Sequence, residues 1–228
     1  MTVTLITGAN KGLGYEAARQ LIIRGHTVYV GSRDWQRGEA AASALGAECV
    51  QLDVTDDASV EAALRTIDDR EGHLDVLVNN AGISAMTEVS GPIAMNVFDT
   101  NAIGVIRVTE AALPLLERSE NPVVVNVSSA LGSFWAVTNP DRRQFHFPSI
   151  IYGASKAAVS MLTVQYAKTW PRIKFNAVEP GFTATELTPM SGAGQPVELG
   201  AEVMVRMATI GPDGPTATFQ EGDSELPW

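Results

Sequence analysis

The run TLITGANKGLG near the start of the chain joins a β-favouring stretch to a helical one through a turn that carries Gly8, Gly12 and Gly14. Glycine at such a turn permits a tight bend, lets a ligand's phosphates come against the main chain, and lets the helix pack closely on the strand. The first N–H groups of that helix would then face the phosphate charge. The chain goes on as it begins. Apolar, β-rich runs lie at 3–7, 27–31, 48–52, 75–79, 122–127, 173–178 and, more weakly, 216–219. Between them, helical periodicity marks 12–24, 36–44, 57–70, 94–118, 152–169 and 197–209.

This alternation predicts an α/β fold, a Rossmann-type doubly wound parallel sheet of about seven strands with helices on both faces. Ligands of such a sheet bind at the carboxyl ends of the strands. The 228 residues, 45% apolar and 18% charged, suit one domain spanning 1–228. A net charge of −10 without a basic run argues against nucleic-acid or anionic-membrane partners and leaves small molecules as the expected ones. The single cysteine, Cys49, excludes an intramolecular disulfide and fits a reducing compartment. Its strand-like surroundings, GAECVQLDV, give it a structural role. No leader-like segment precedes the first strand and no apolar run reaches membrane-spanning length, so the expectation is a soluble, cytoplasmic protein.

The glycine turn, with Asn10, Lys11 and Leu13 among its residues, is a candidate dinucleotide loop. After the second strand, VYVGSRD bears on which dinucleotide it takes. An acid there would bind a ribose 2′-hydroxyl, whereas an arginine accommodates a 2′-phosphate. Ser32 and Arg33 occupy the turn and Lys11 stands in the facing loop, which favours NADP(H). Asp34 keeps NAD(H) open: it can pair with Arg33 or take the hydroxyl itself. Asp53, followed by Val54 in LDV, can accept from an adenine amino group or cap the next helix, for which Thr55 and Asp56 are also candidates. Asn79, Asn80, Ala81 and Gly82 end the fourth strand, where small residues would let the backbone approach a ribose; one asparagine can equally lock the sheet.

Tyr152 and Lys156 stand four residues apart in IYGASKAAVSML, so on a helix they share a face. A fixed cation beside a phenol favours the phenolate and draws its pKa toward the working range of an acid or base. On its own the pair also fits a solvated helix face. Next to a dinucleotide site it points to hydride-transfer chemistry.

Taken in order, TGANKGLG, LDV, NNAG, TNAIG, VNVSSALG, YGASK and EPGFTAT resemble the short-chain dehydrogenase/reductase family in its compact, non-extended branch, over residues 3 to about 209. The wording TGANKGLG with SRD is similar to NADPH-dependent carbonyl reductases. The resemblance implies catalytic roles for Asn101, Ser129, Tyr152 and Lys156, with Ser128 as the alternative serine. Tyr152 would deliver the proton, Lys156 would support it and hold the ribose hydroxyls, Ser129 would donate to the substrate oxygen, and Asn101 would support a water relay. Pro180, Gly181, Thr183 and Thr185 match the segment along the nicotinamide and phosphates.

Three stretches depart from the family pattern. The 22 residues between Ser129 and Tyr152, 130–151, include an insertion with Phe134, Trp135, Phe145, His146 and Phe147, which either lines an apolar pocket or is a surface excursion. Residues 185–197 read as a short substrate lid in which Gly192 and Gly194 mark a hinge. The tail 220–228 replaces a glycine-rich ending, with Leu226 and Trp228 able to pack back on the domain. These departures make a monomer or homodimer the expectation. The leading function is reduction of a ketone or aldehyde substrate with NADP(H); oxidation of an alcohol with NAD(P), or dinucleotide sensing without chemistry, are the alternatives. His26, His73 and His146 are scattered without ligand spacing, so no metal is expected.

Overall fold

The computed structural model describes residues 1–85, 89–185 and 194–228. Its strands are β1 (Val3–Thr7), β2 (Thr27–Ser32), β3 (Glu48–Gln51), β4 (Val76–Asn79), β5 (Val123–Val127), β6 (Lys174–Glu179), β7 (Thr218–Glu221) and β8 (Ser224–Glu225). They form one sheet in the order β3-β2-β1-β4-β5-β6-β7-β8. Neighbours pair in parallel from β3 to β7, and β8 runs antiparallel to β7. Strand order reverses between β1 and β4, and that switch opens a crevice at the strands' carboxyl ends.

The helices are α1 (Gly12–Ile23), α2 (Trp35–Leu45), α3 (Asp57–Glu71), α4 (Gly91–Phe98), α5 (Gly104–Leu116), α6 (Phe134–Thr138), α7 (Ile150–Thr169) and α8 (Val197–Ala208). They cover both faces of the sheet, because the pleat sends alternate side chains to opposite sides. Val3, Leu5, Leu77 and Val124 pack with α3, α5 and α7. Ile6, Val76, Val78 and Val125 pack with α1, α2 and α8. β1, β4 and β5 are buried throughout, and each fully buried side chain such as Leu5 or Leu77 contributes roughly 1.5–3 kcal/mol of apolar burial. Asp34 and Asp56 start α2 and α3 by accepting from Arg37 N and Ala58 N, each at 3.0 Å.

Two elements differ from expectation. The helix expected over 94–118 is α4 and α5 joined by a π-helical turn, Asp99–Ile103, which adds a residue to the turn and rotates Asn101 inward. The weak strand expected at 216–219 is β7, two residues later, and the tail adds β8 as an eighth strand. Leu226 then packs with Ala130, Ala136, Ala177 and Phe219, and Trp228 stacks on Phe219 at 5.4 Å. No helix among the described residues is long and apolar enough to cross a membrane.

Candidate active site

The glycine turn after β1 is fixed from β4. Gly8 has φ +65°, and a Cβ there would come 3.0 Å from Ala81 Cα. Gly14 is tighter: a Cβ would sit 2.5 Å from Asn80 Nδ2. Asn80 Nδ2 donates to Thr7 O and Gly8 O at 2.8 and 3.2 Å, and the backbone N–H groups of Asn80 and Ala81 both donate to Thr7 Oγ1. Asn80 thus braces the loop, while Asn79 locks the sheet by donating to Thr109 Oγ1 and Asn126 Oδ1. Gly12 adjoins the segment after β6, since a Cβ on it would lie 3.7 Å from Thr185 Cγ2. Asn10, Lys11 and Leu13 lie on the same turn and the start of α1. Residues 186–193, most of the expected lid, lie outside the described residues.

At the end of β2, Ser32 is buried and donates to Asp34 O at 2.9 Å, while Arg33 is exposed. Asp34 pairs neither with Arg33 nor with open solvent alone: it caps α2 and lies 3.7 Å from Arg37 Nε. Asp53 accepts from Thr55 N and Thr55 Oγ1, so the helix cap falls to Asp56. Burial pushes the Asp53 carboxyl up, but those two hydrogen bonds and the charges of Arg33 and Arg107 outweigh it and lower it overall. The Val54 side chain is buried in the core, and its carbonyl accepts from Arg107 at 3.2 Å.

The four residues expected to act together converge at the ends of β4, β5 and β6. Tyr152 and Lys156 share one face of α7 and are 9% and 4% exposed, with Lys156 Nζ 5.6 Å from the Tyr152 ring centre. Lys156 Nζ donates to Val127 O at 2.7 Å. Asn101, 1% exposed, accepts from Ile83 N and donates to Ile83 O and Ser155 Oγ at 2.8–3.0 Å. Its side chain therefore holds the chain after β4 against α7. Gly82 fills the space between, a Cβ there falling 3.4 Å from Asn101 Oδ1 and 3.6 Å from Lys156 Nζ. Ser128 is turned inward, donating to Lys156 O and meeting Ser160 Oγ, whereas Ser129 faces Tyr152.

One acid in this cluster was passed over in the sequence. Glu179 ends β6, is buried, and accepts from Ala130 N and, at 3.0 Å, from Gly181 N. Its place at a strand's carboxyl end, just before the Pro180–Gly181 loop, was the available signal. Burial pushes the Tyr152 phenol up, the Glu179 charge pushes the same way, and the hydrogen bond with Ser129 opposes both. The lowering expected from Lys156 is not found; burial sets the direction, and the phenol keeps its proton at neutral pH. Burial also draws the Lys156 ammonium down to about 8, with Glu179 opposing.

The insertion divides between two surroundings. Phe134, Phe145 and Phe147 line an open groove of about 630 Å³ with Ile150, Gly153 and Ala154 of α7, on a different face from Tyr152 and Lys156. The Trp135 ring lies under Arg142 at 5.6 Å, the Trp135 backbone N–H donates to Trp228 O, and His146 meets Phe145 edge-on. Arg143 reaches Phe182 at 5.8 Å, which ties the insertion to the segment holding Pro180, Gly181, Thr183 and Thr185.

Known proteins resemble this chain along its length in sequence and in fold. A short-chain dehydrogenase/reductase of the fungus Stachybotrys chlorohalonatus is 34% identical, the match covering 99% of this chain and 94% of the relative. The (−)-isopiperitenone reductase of Mentha piperita is 30% identical over 97% of this chain and 96% of its own. The solved structure of menthone neomenthol reductase from the same plant superposes with a TM-score of 0.81 at 28% identity, covering 98% and 99% of the two chains. The model of the short chain dehydrogenase family matches residues 2–195, and the chain belongs to that family of oxidoreductases.

Proposed function

We propose that the protein reduces a ketone or aldehyde to the alcohol with NADP(H), using Tyr152 as the acid. The observation that carries this reading is the buried pair Tyr152 and Lys156 on one face of α7, with half-buried Ser129 beside Tyr152 and a phenol that burial keeps protonated. A protonated phenol is what carbonyl reduction needs, because a carbonyl gaining negative charge must be given a proton. Two of the relatives are named as reductases of isopiperitenone and of menthone, which agrees with a ketone substrate.

The glycine turn fits a dinucleotide: a Cβ on Gly8 or Gly14 would strike the neighbouring backbone or Asn80, so the turn keeps the closeness that a pyrophosphate requires. Preference for the 2′-phosphate rests on exposed Arg33, with Lys11 in the facing turn, and on Asp34 being engaged as a helix cap. Gly8, Asn10, Lys11, Gly12, Leu13 and Gly14 would hold the phosphates. Ser32 and Arg33 would hold the adenosine ribose, Asp53 and Val54 the adenine, and Asn80, Ala81 and Gly82 the near ribose. Pro180, Gly181, Thr183 and Thr185 would border the nicotinamide.

The cofactor supplies the hydride. Tyr152 donates its phenolic proton to the carbonyl oxygen, Ser129 donates a hydrogen bond to that same oxygen, and Lys156 offsets the charge left on the phenolate. Asn101 keeps α7 and the chain after β4 in register. Consumption of NADPH, with NADH in parallel, against aldehydes, aryl ketones, ketoesters, quinones and ring ketones tests the reading. Turnover that is absent in Tyr152→Phe supports it, and tight NADPH binding without turnover on any carbonyl overturns it.

A further inference from the structure

A single guanidinium joins two ends of the site that the mechanism above treats separately. Arg107 stands in the first turn of α5 with its side chain 21% exposed. Its Nη1 donates to the Val54 carbonyl, after β3, at 3.2 Å and to Asp99 Oδ1 at 2.8 Å. Its Nε lies 3.0 Å from Asp57 Oδ1 at the start of α3, but that carboxylate is 79% exposed, so water screens this arm and the other two carry the weight.

Asp99 opens the π turn Asp99–Ile103, and its carbonyl accepts from Gly104 N to close the wide ring of that turn. Gly104 in turn rests on Val54: a Cβ on it would fall 2.9 Å from Val54 Cγ2 and 3.1 Å from Val54 O. The π turn is thus seated on Val54 at its end and tied to Val54 through Arg107 at its beginning. Two residues beyond Asp99 stands Asn101, whose side chain accepts from Ile83 N at 2.8 Å and borders Gly82, which borders Lys156 Nζ in its turn. A planar guanidinium holds a carbonyl and a carboxylate at fixed angles, whereas a lysine ammonium is a point charge on a flexible stem.

We propose that Arg107 is a positioning residue that sets two parts of the dinucleotide site at once: the Val54 backbone at the adenine end and, through Asp99, the π turn that holds Asn101 against Ile83. Its side chain fixes the spacing between the adenine wall and the strand end where the nicotinamide half reacts. The adenine end rests on the reading of Asp53 and Val54 given above, and the kinetic effects rest on the reductase reading. The tie from Arg107 through Asp99 to Asn101 rests on neither.

The test compares Arg107→Met, Arg107→Lys, Asp99→Ala and the double variant Arg107→Met/Asp99→Ala with the wild type. Two readouts need no turnover: amide hydrogen exchange of Ile83, followed by NMR, and the Kd of whichever of NADPH and NADH the wild type binds more tightly. In Arg107→Met, Ile83 exchanges about fivefold faster or more and the dinucleotide Kd rises about fivefold, the loss expected for one charge-assisted contact. Asp99→Ala cuts only the tie to the π turn, so it speeds Ile83 exchange to the same degree and keeps Kd within about twofold. The double variant exchanges no faster than Arg107→Met, because both substitutions remove the same contact; independent losses of stability would add. In carbonyl reduction kcat falls about fivefold in both single variants, the dinucleotide KM rises only in Arg107→Met, and Arg107→Lys restores neither in full.

Wild-type exchange at Ile83 in folded Arg107→Met, an unmoved Kd in that variant, or additive exchange in the double variant overturns the inference. Should Arg107→Met fail to fold, wild-type Ile83 exchange in Asp99→Ala overturns it instead. A wild type that reduces no carbonyl, while its variants shift Ile83 exchange and Kd as stated, fails the reductase reading and leaves the role of Arg107 standing.

Discussion

Gly132 lies against the backbone of α7 at Lys156: a Cβ on it would fall 2.5 Å from the Lys156 carbonyl carbon and 2.6 Å from Ala157 N. The turn that carries Ser129 therefore meets the helix that carries Tyr152 and Lys156 backbone to backbone. Because backbone cannot yield as a flexible side chain can, Gly132→Ala forces the two apart. Overpacking of this kind costs about 1–3 kcal/mol. We expect a lowered urea midpoint together with a fall in kcat larger than the rise in KM, since Ser129 and Tyr152 are displaced relative to each other.

Asn101→Ala removes three hydrogen bonds at a position that is 1% exposed, leaving the N–H and C=O of Ile83 without that partner. Buried groups left unmet cost about 1–3 kcal/mol. Equilibrium denaturation should show a loss of about that size, and kcat should fall as the chain after β4 loosens beside Lys156. A variant of wild-type stability would show that the Ile83 contacts do not hold this edge of the site.

The parallel sheet was legible because its strands are continuous apolar runs: VTLIT, VLVN and VVVNV are buried on both faces and need no periodicity to be found. Tyr152 and Lys156 were legible from helical spacing, and the glycine turn from its place between β1 and α1. The π turn at Asn101 was not, since nothing local in FDTNAIG marks one extra residue in a helix. Nor was Glu179, whose partners Ala130, Gly181 and Glu221 are distant or come from the backbone. The two-sided role of the insertion was equally hidden, because its aromatics say only that something apolar is covered.

His26 is half-buried with its Nδ1 2.8 Å from Thr4 Oγ1, and burial lowers its pKa below the ordinary 6.5 despite the nearby Asp75 charge. A histidine lowered in the folded state stabilises the fold above its unfolded pKa and gives that stability up as pH falls. Unfolding free energy should thus decline from about pH 6.5 toward pH 5, and His26→Gln should flatten that stretch of the curve. An unchanged slope in the variant would assign the decline to other groups.

Tyr152→Phe keeps the ring beside Lys156 and removes only the hydroxyl. NADPH affinity should stay within about threefold, while kcat falls by about 10²–10⁴, the range that a positioned acid contributes. Near-normal turnover would remove Tyr152 from the reaction.

Arg33 is exposed at the end of β2, its neighbour Asp34 occupied at the start of α2. If the adenosine 2′-phosphate lies against Arg33, Arg33→Ala removes a charge-assisted contact worth about 1.5–3 kcal/mol, which is roughly a ten- to hundredfold rise in the KM for NADPH. NADH, which lacks that phosphate, should be nearly unaffected, so the ratio of kcat/KM for the two dinucleotides collapses toward unity. The paired variant Asp34→Ala separates the role of the acid at this turn from that of the base: it should loosen the cap of α2 and lower stability by about 1 kcal/mol while leaving the NADPH preference in place. A loss of NADH use in Asp34→Ala, with NADPH unchanged in Arg33→Ala, would reverse the assignment and make the carboxylate the group that reads the ribose.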